Sequence, residues 1–289
     1  MMNSFWMILS SFFYATYALF LKFASIDGLT SFEILFYRSL LGIIFISIVM
    51  LHKSIGFLTK HPFEHACRSC IGTSCIVFGA IAISGINLGM AQTLNNMTPL
   101  FIGLFVCIGC LRAREPFPWG LVASLILGFI GVTIMVGPSA SLEEMPFVLV
   151  GLLSAFTGGV AMMFIPILSR LREPEERILF YFFLAGLVCG AIGILFTGGI
   201  HIKSLSTVGW ILGFSFSSTL MQVCFTMAFA RGDTGFSGFL QYLTIPFAVI
   251  FGVIFLGESL SFAAIAGMCV IAGAGILASL FTARRKKKA

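Results

Sequence analysis

Gly89-Met90-Ala91-Gln92-Thr93-Leu94-Asn95-Asn96-Met97-Thr98-Pro99-Leu100-Phe101 sets three amides within two turns ahead of a proline and then runs into an apolar stretch ending near Cys110. A second stretch answers it: Gly238-Phe239-Leu240-Gln241-Tyr242-Leu243-Thr244-Ile245-Pro246-Phe247, running on to Glu258. Each belongs to an apolar segment long enough to cross a bilayer. Polar side chains in hydrocarbon are costly unless they face a protein interior or a water-filled cavity. A proline removes one backbone donor and leaves a carbonyl one turn back to be satisfied by something else. Two interrupted helices in matching positions of two halves point to a binding site between them.

The remainder of the chain suits that setting. Of 289 residues, 59% are hydrophobic and 10% charged, against about 25% charged in soluble proteins. Mean hydropathy is +1.08, so lipid is the expected solvent. Ten spans are read, at roughly 4–22, 31–51, 67–86, 89–111, 117–136, 147–169, 178–198, 207–229, 234–257 and 260–282. The start, Met1-Met2-Asn3-Ser4-Phe5, lacks the basic region of a secretory signal peptide, so the first span is expected to persist as a helix. The 8 cysteines lie mostly inside apolar spans and read as small buried hydrophobes.

The net charge of +6 does not form a nucleic-acid patch; the basic residues sit at span ends. With both termini on one side, the loops there and the tail carry 14 of the 17 Lys and Arg, among them Lys53, Lys60, Arg68, Arg112, Arg172, Arg177 and Arg284. The opposite loops hold Lys22 and Lys203, and Arg38 remains inside the second span. This asymmetry predicts a multi-pass protein of the cell inner membrane with both termini cytoplasmic. The basic tail is read as an anchor at the anionic leaflet, with no nucleic-acid partner.

The chain also repeats. Leu9-Ser10-Ser11-Phe12 matches Leu153-Ser154-Ala155-Phe156 at an offset of 144, and Thr98-Pro99-Leu100-Phe101 matches Ile245-Pro246-Phe247-Ala248 at 147. Gly131-Val132-Thr133-Ile134 matches Gly275-Ile276-Leu277-Ala278, again at 144. The fold expected is an all-α membrane protein of ten transmembrane helices, built as two inverted five-helix repeats, 1–143 and 144–289. An odd helix count inserts the second copy upside down, a trait of secondary transporters.

With a proline in the fourth helix of each half and Leu256-Gly257-Glu258 closing the ninth span, the chain resembles the drug/metabolite transporter superfamily, in its EamA-type branch. Aromatic amino-acid exporters belong to that branch. In the first half Leu111-Arg112-Ala113-Arg114-Glu115 stands where the second has Leu-Gly-Glu, about one turn longer. The resemblance implies a central cavity for small organic metabolites.

Candidate binding residues follow from helical faces. Gln92, Asn95, Asn96 and Pro99 share one stripe, and Gly238, Gln241, Tyr242 and Ile245 share its counterpart, with Asn95 and Tyr242 at the repeat offset. Ser215, Ser218, Thr219 and Gln222 share a face of the eighth span, and Ser10, Tyr14 and Tyr17 a face of the first. These groups either glue helices together or line a cavity; the amides beside the prolines are assigned to the cavity. Arg38 keeps its charge and must snorkel, pair, or meet a ligand carboxylate or phosphate. The substrate-binding set expected is therefore Tyr14, Tyr17, Arg38, Gln92, Asn95, Asn96, Ser218, Gln222, Gln241 and Tyr242.

Acids fall in loops or at helix ends, with Glu33 intruding slightly, so exchange or uniport is favoured over proton coupling. Cys67-Arg68-Ser69-Cys70, Cys107-Ile108-Gly109-Cys110 and His61-Pro62-Phe63-Glu64-His65 have spacings found in metal sites, yet a zinc site needs four converging ligands; no metal or cofactor is expected. Phosphate-binding and zinc-protease motifs are absent. Gly186-x-x-x-Gly190 admits close helix packing, within one chain or in a weak dimer. The function expected is export or exchange of small metabolites such as amino acids by alternating access, without enzymatic activity. The alternatives are traffic in a larger, cofactor-like metabolite of the S-adenosylmethionine or riboflavin type, and a membrane-embedded enzyme.

Overall fold

The computed structural model describes residues 5–113, 119–136, 143–197, 204–231 and 240–286. Among these, all regular structure is helical: α1 (Phe5–Ile26), α2 (Ser31–His52), α3 (Pro62–Gly85), α4 (Leu88–Asn95), α5 (Thr98–Ala113), α6 (Trp119–Val136), α7 (Met145–Arg170), α8 (Glu175–Phe196), α9 (Leu205–Arg231), α10 (Thr244–Leu256) and α11 (Phe262–Lys286). Ser10, Ser11, Thr73, Gln92 and Asn96 are buried, whereas Ile44, Ile48, Leu195 and Ile254 are exposed. This inside-out distribution is stable only where the surroundings are apolar. Among the described residues seven stretches are long and apolar enough to cross a membrane, with α4 and α5 counted as one; three shorter apolar helices lie at 119–135, 244–256 and 262–278.

The helix starts carry their own chemistry. At α2, Thr30 Oγ1 accepts the Glu33 N–H at 3.3 Å, and the Glu33 carboxylate accepts the Thr30 N–H at 2.8 Å. This reciprocal cap satisfies two donors that the first turn leaves open. Glu33 is fully buried, so its intrusion into the span has a structural use. α3 starts at Pro62, five residues before the expected position, because a proline ring suits the first turn of a helix. That shift moves Arg68 out of the cytoplasmic loop predicted for it and into a buried position on α3.

The fourth apolar segment is not one helix. α4 stops at Asn96-Met97, and α5 restarts at Thr98-Pro99, where the missing proline N–H costs nothing. The ninth segment breaks alike: Leu240 and Gln241 are helical, Tyr242-Leu243 turn, and α10 restarts at Thr244. Thirteen residues of α10 rise about 20 Å, short of the ~30 Å hydrocarbon core. Gly257 closes α10 at φ 63°, a left-handed conformation that glycine adopts without strain.

The most extensive helix contacts pair α6 with α11, α1 with α9, α3 with α7, and α2 with α8; α10 packs on α1 and α4, and α5 on α7. Gly186, Gly190 and Gly193 of α8 lie directly against Ser39, Phe36 and Phe32 of α2, so the small-residue stripe is used inside the chain. At one end of the bundle Lys22, expected in a loop, lies in α1 and donates to the carbonyls of Ile83 (2.8 Å) and Ile86 (2.7 Å) where α3 finishes. At the same end the Glu258 carboxylate takes the Leu88 N–H at 2.8–2.9 Å, capping α4. Burial pushes the Glu258 carboxyl above its ordinary range, partly offset by that N–H and by Lys22.

Candidate functional site

The two helix breaks meet. Gln241 Nε2 donates to Asn96 Oδ1 at 3.5 Å, and Asn96 Nδ2 donates to the Gln92 carbonyl at 2.8 Å. Both breaks use the same device: Thr98 Oγ1 donates to the Asn95 carbonyl (3.1 Å), and Thr244 Oγ1 to the Gln241 carbonyl (2.8 Å). The turns and hydroxyls therefore align at an offset of 146, pairing Asn95 with Gln241 and not with Tyr242. Pro99 and Pro246 would leave the Asn95 and Tyr242 carbonyls, one turn back, without a helical partner, but both are taken up. Thr98 occupies the first, and the Ile245 N–H, at 3.1 Å, occupies the second.

What stays open is in the side chains. Both amide atoms of Gln92, and Asn95 Oδ1, are buried without a hydrogen-bond partner among the described residues. Buried amides are rarely left so, because each unmade bond carries its desolvation cost. Asn95 lies against Gly79 of α3 beside Ser154 of α7, and Ser154 Oγ donates to the Cys75 carbonyl at 2.9 Å. Cys75 and Thr98 both abut Gly158. The amide cluster is thereby joined to the middle of α3.

A second cluster stands on that same stretch of α3. Tyr14 and Tyr17 stack with ring centroids 6.2 Å apart. The Arg38 guanidinium lies 5.7 Å from the Tyr17 centroid, 5.6 Å from Phe182 and 5.9 Å from Phe183. Arg68 covers Phe182 from 4.5 Å. Arg38 is 2% exposed, so it does not snorkel to an interface; of the readings open to it, pairing with a protein acid is not realised among the described residues.

The other expected residues fare differently. Ser218 and Thr219 hydroxyls donate to the Ser215 carbonyl of their own helix, at 3.0 and 2.9 Å, a common fate of helical hydroxyls. Gln222 is half-buried. Ser10 and Ser11 hold α1 to the Met221 and Leu240 carbonyls, both at 3.1 Å, and act as glue. Tyr242 is buried with its hydroxyl beside Gly275 of α11 and, like the Gln92 amide, without a hydrogen-bond partner among the described residues; Pro246 is exposed, and Gly238 lies outside the described residues. Among the described residues no three His, Cys, Asp or Glu side chains gather to hold a metal. Arg68 is the residue that sequence reading missed; Pro62, a helix-start signal six positions ahead of it, carried the correction.

Two interrupted helices facing each other within a helical membrane bundle suit a solute carrier. The EamA-like transporter family model matches residues 1–137 and again 145–280, and the chain belongs to that family. It is 27% identical over 280 residues to the pseudopaline exporter CntI of Pseudomonas aeruginosa (strain UCBPP-PA14), covering 97% of this chain and 95% of the relative. It is 25% identical over 220 residues to an uncharacterized transporter of Helicobacter pylori (strain J99), covering 74% of this chain and 72% of that one. A solved crystal structure shares the fold at a TM-score of 0.62 and 18% identity, covering 96% of this chain and 98% of the other.

Proposed function

We propose that the chain is a secondary transporter exporting or exchanging small, amino-acid-like organic metabolites by alternating access, with substrate held between the two helix breaks. The observation that carries this reading is the meeting of Asn96 and Gln241 beside the unpartnered amides of Gln92 and Asn95. The proposed frame is ten spans in two inverted repeats, 1–143 and 144–289, in the inner membrane with both termini cytoplasmic. The helix pairing supports it. Exchanging the halves carries α1 with α9 onto α7 with α3, and α1 with α10 onto α7 with α5, while α2 with α8 and α6 with α11 map onto themselves.

Counterflow in proteoliposomes, screened across amino acids and cofactors, tests the activity. Asn96→Ala and Gln241→Ala should weaken substrate binding by about three- to tenfold, the range for one neutral hydrogen bond, and leave the melting temperature unchanged. Residues that merely glue helices lose stability instead and bind normally. For topology, a cysteine introduced at Leu205 should react with an impermeant reagent in intact cells and one at Ser54 should not; the reverse pattern removes both the orientation and the inverted frame.

A further inference from the structure

We propose that Arg38 and Arg68 form an anion subsite of that transport pathway, which takes the carboxylates of a substrate carrying at least two of them. The inference rests on the transporter reading and narrows its substrate class. Arg38 Nε and Nη1 and Arg68 Nε are buried and have no hydrogen-bond partner among the described residues. The two guanidiniums share one ring, Phe182, at 5.6 and 4.5 Å. An aromatic face attracts a cation but does not neutralise it. A guanidinium does not shed its proton.

Two like charges are thus held together out of water, and no carboxylate of the described residues is paired with either. The ion pairs between described residues are Lys53–Glu176 and Arg177–Glu173, with the His65 imidazole 3.4 Å from Glu173. Burying a charge without a counter-charge is strongly unfavourable, so the arrangement lacks an anion. Its seat is built: Arg68 lies across Gly72, where a Cβ would strike both its Nη1 and the Phe182 ring. Ser69 and Thr73, next to Arg68 and Gly72 in the chain, carry buried hydroxyls that are likewise unpartnered among the described residues. Planar guanidinium forks suit carboxylates, one fork to each. Through Cys75 and Gly79 the same face of α3 leads on to Asn95, so the arginines and the amides lie along one face of the same helix.

The test uses the purified full-length protein, with citrate, glutamate, glutamine, inorganic phosphate and phosphatidylglycerol as probes in thermal-shift and equilibrium-binding measurements. Citrate and glutamate should stabilise it more than glutamine does. Arg38→Gln and Arg68→Gln should each weaken citrate binding about tenfold or more, as expected for a charge-assisted bond. Without ligand, Arg68→Gln should melt no lower than the parent protein, because it removes an uncompensated buried charge. Arg38→Lys checks folding with the charge retained, and Gly72→Ala should lower affinity by displacing Arg68.

Equal shifts from glutamate and glutamine, the absence of any shift, or a carboxylate shift that survives in both glutamine variants overturns the proposal. So does stabilisation by phosphate alone, or by phosphatidylglycerol alone, which gives the pair to a phosphate group or a lipid headgroup. Counterflow of neutral solutes that persists in the arginine variants leaves the transporter reading standing while the anion subsite falls. A failure of counterflow for every solute removes the transporter reading itself.

Discussion

α2, α3 and α8 carry charges in two regions, and the two are treated in opposite ways. At the first turns of α3 and α8, Glu173 accepts from Thr59 at 2.7 Å and Arg177 at 2.9 Å and lies 3.4 Å from His65. Arg177 also donates to the Gly56 carbonyl at 2.9 Å. One turn further along α3 is Arg68, and five residues further along α8 is Phe182, and there the arginines meet only rings. A bundle able to build the first network was able to build a second. Under the proposed anion subsite, its omission around Arg38 and Arg68 separates charges that hold the fold from charges kept open for a ligand.

The largest effect should come from removing the open charges together. The Arg38→Gln, Arg68→Gln double variant should lower dicarboxylate counterflow by at least tenfold, equivalent to one lost charge-assisted bond or more, with the melting temperature held. A drop in melting temperature without loss of transport in the surviving protein erases the distinction between the two regions.

Removing the closed network's acid should do the reverse. Glu173→Gln should cost roughly 1.5–3 kcal/mol, the range for hydrogen bonds to charged groups, with transport per folded molecule unchanged. Burial would raise the Glu173 carboxyl, but hydrogen bonds from Thr59 and Arg177, the Arg177 charge and His65 hold it below the ordinary carboxylate range. A depressed carboxyl contributes stability that is complete above its unfolded value, near pH 4.3, and is lost as pH falls through its folded value. Melting curves from pH 7 to pH 3 should therefore show the gap between parent and Glu173→Gln narrowing as acid is added.

Glu33 sharpens the comparison at the opposite end of α2. Its carboxylate is engaged in the Thr30 cap, so Glu33→Ala should cost about 0.5–2 kcal/mol, as lost caps do, while Glu33→Gln, whose amide oxygen can still accept the Thr30 N–H, should cost less. Substrate counterflow should persist in that variant, and in the parent after a protonophore collapses the gradient. Uptake that follows an imposed pH gradient and vanishes in Glu33→Gln makes Glu33 a coupling group instead. The smallest effect belongs to Lys53→Ala. Its 2.6 Å pair with Glu176 has a side chain 52% exposed, and such pairs contribute about 0–1 kcal/mol, a change in melting temperature near the limit of measurement.

The sequence by itself determined the solvent, the helical class, the family and the place where two helices break. Apolar runs of membrane length, Asn96-Met97 before Thr98-Pro99, and Tyr242-Leu243 before Thr244 are local signals, because a helix is satisfied within its own backbone and a proline disrupts only its own turn. The Thr30–Glu33 cap and the Pro62 start are equally local signals, yet the expected spans omit the cap and begin the third helix five residues late. Tertiary structure decided which polar groups close on protein and which stay open. Ser218 turns back on its own helix and Ser10 and Ser11 find carbonyls on other segments, whereas the Tyr242 hydroxyl, packed onto α11, has no hydrogen-bond partner among the described residues. Arg38 and Arg68 lie 30 positions apart in the chain and meet only because α2, α3 and α8 bring both onto Phe182. Whether a charge has a partner is a property of the space around it, and spacing along the chain does not contain that space.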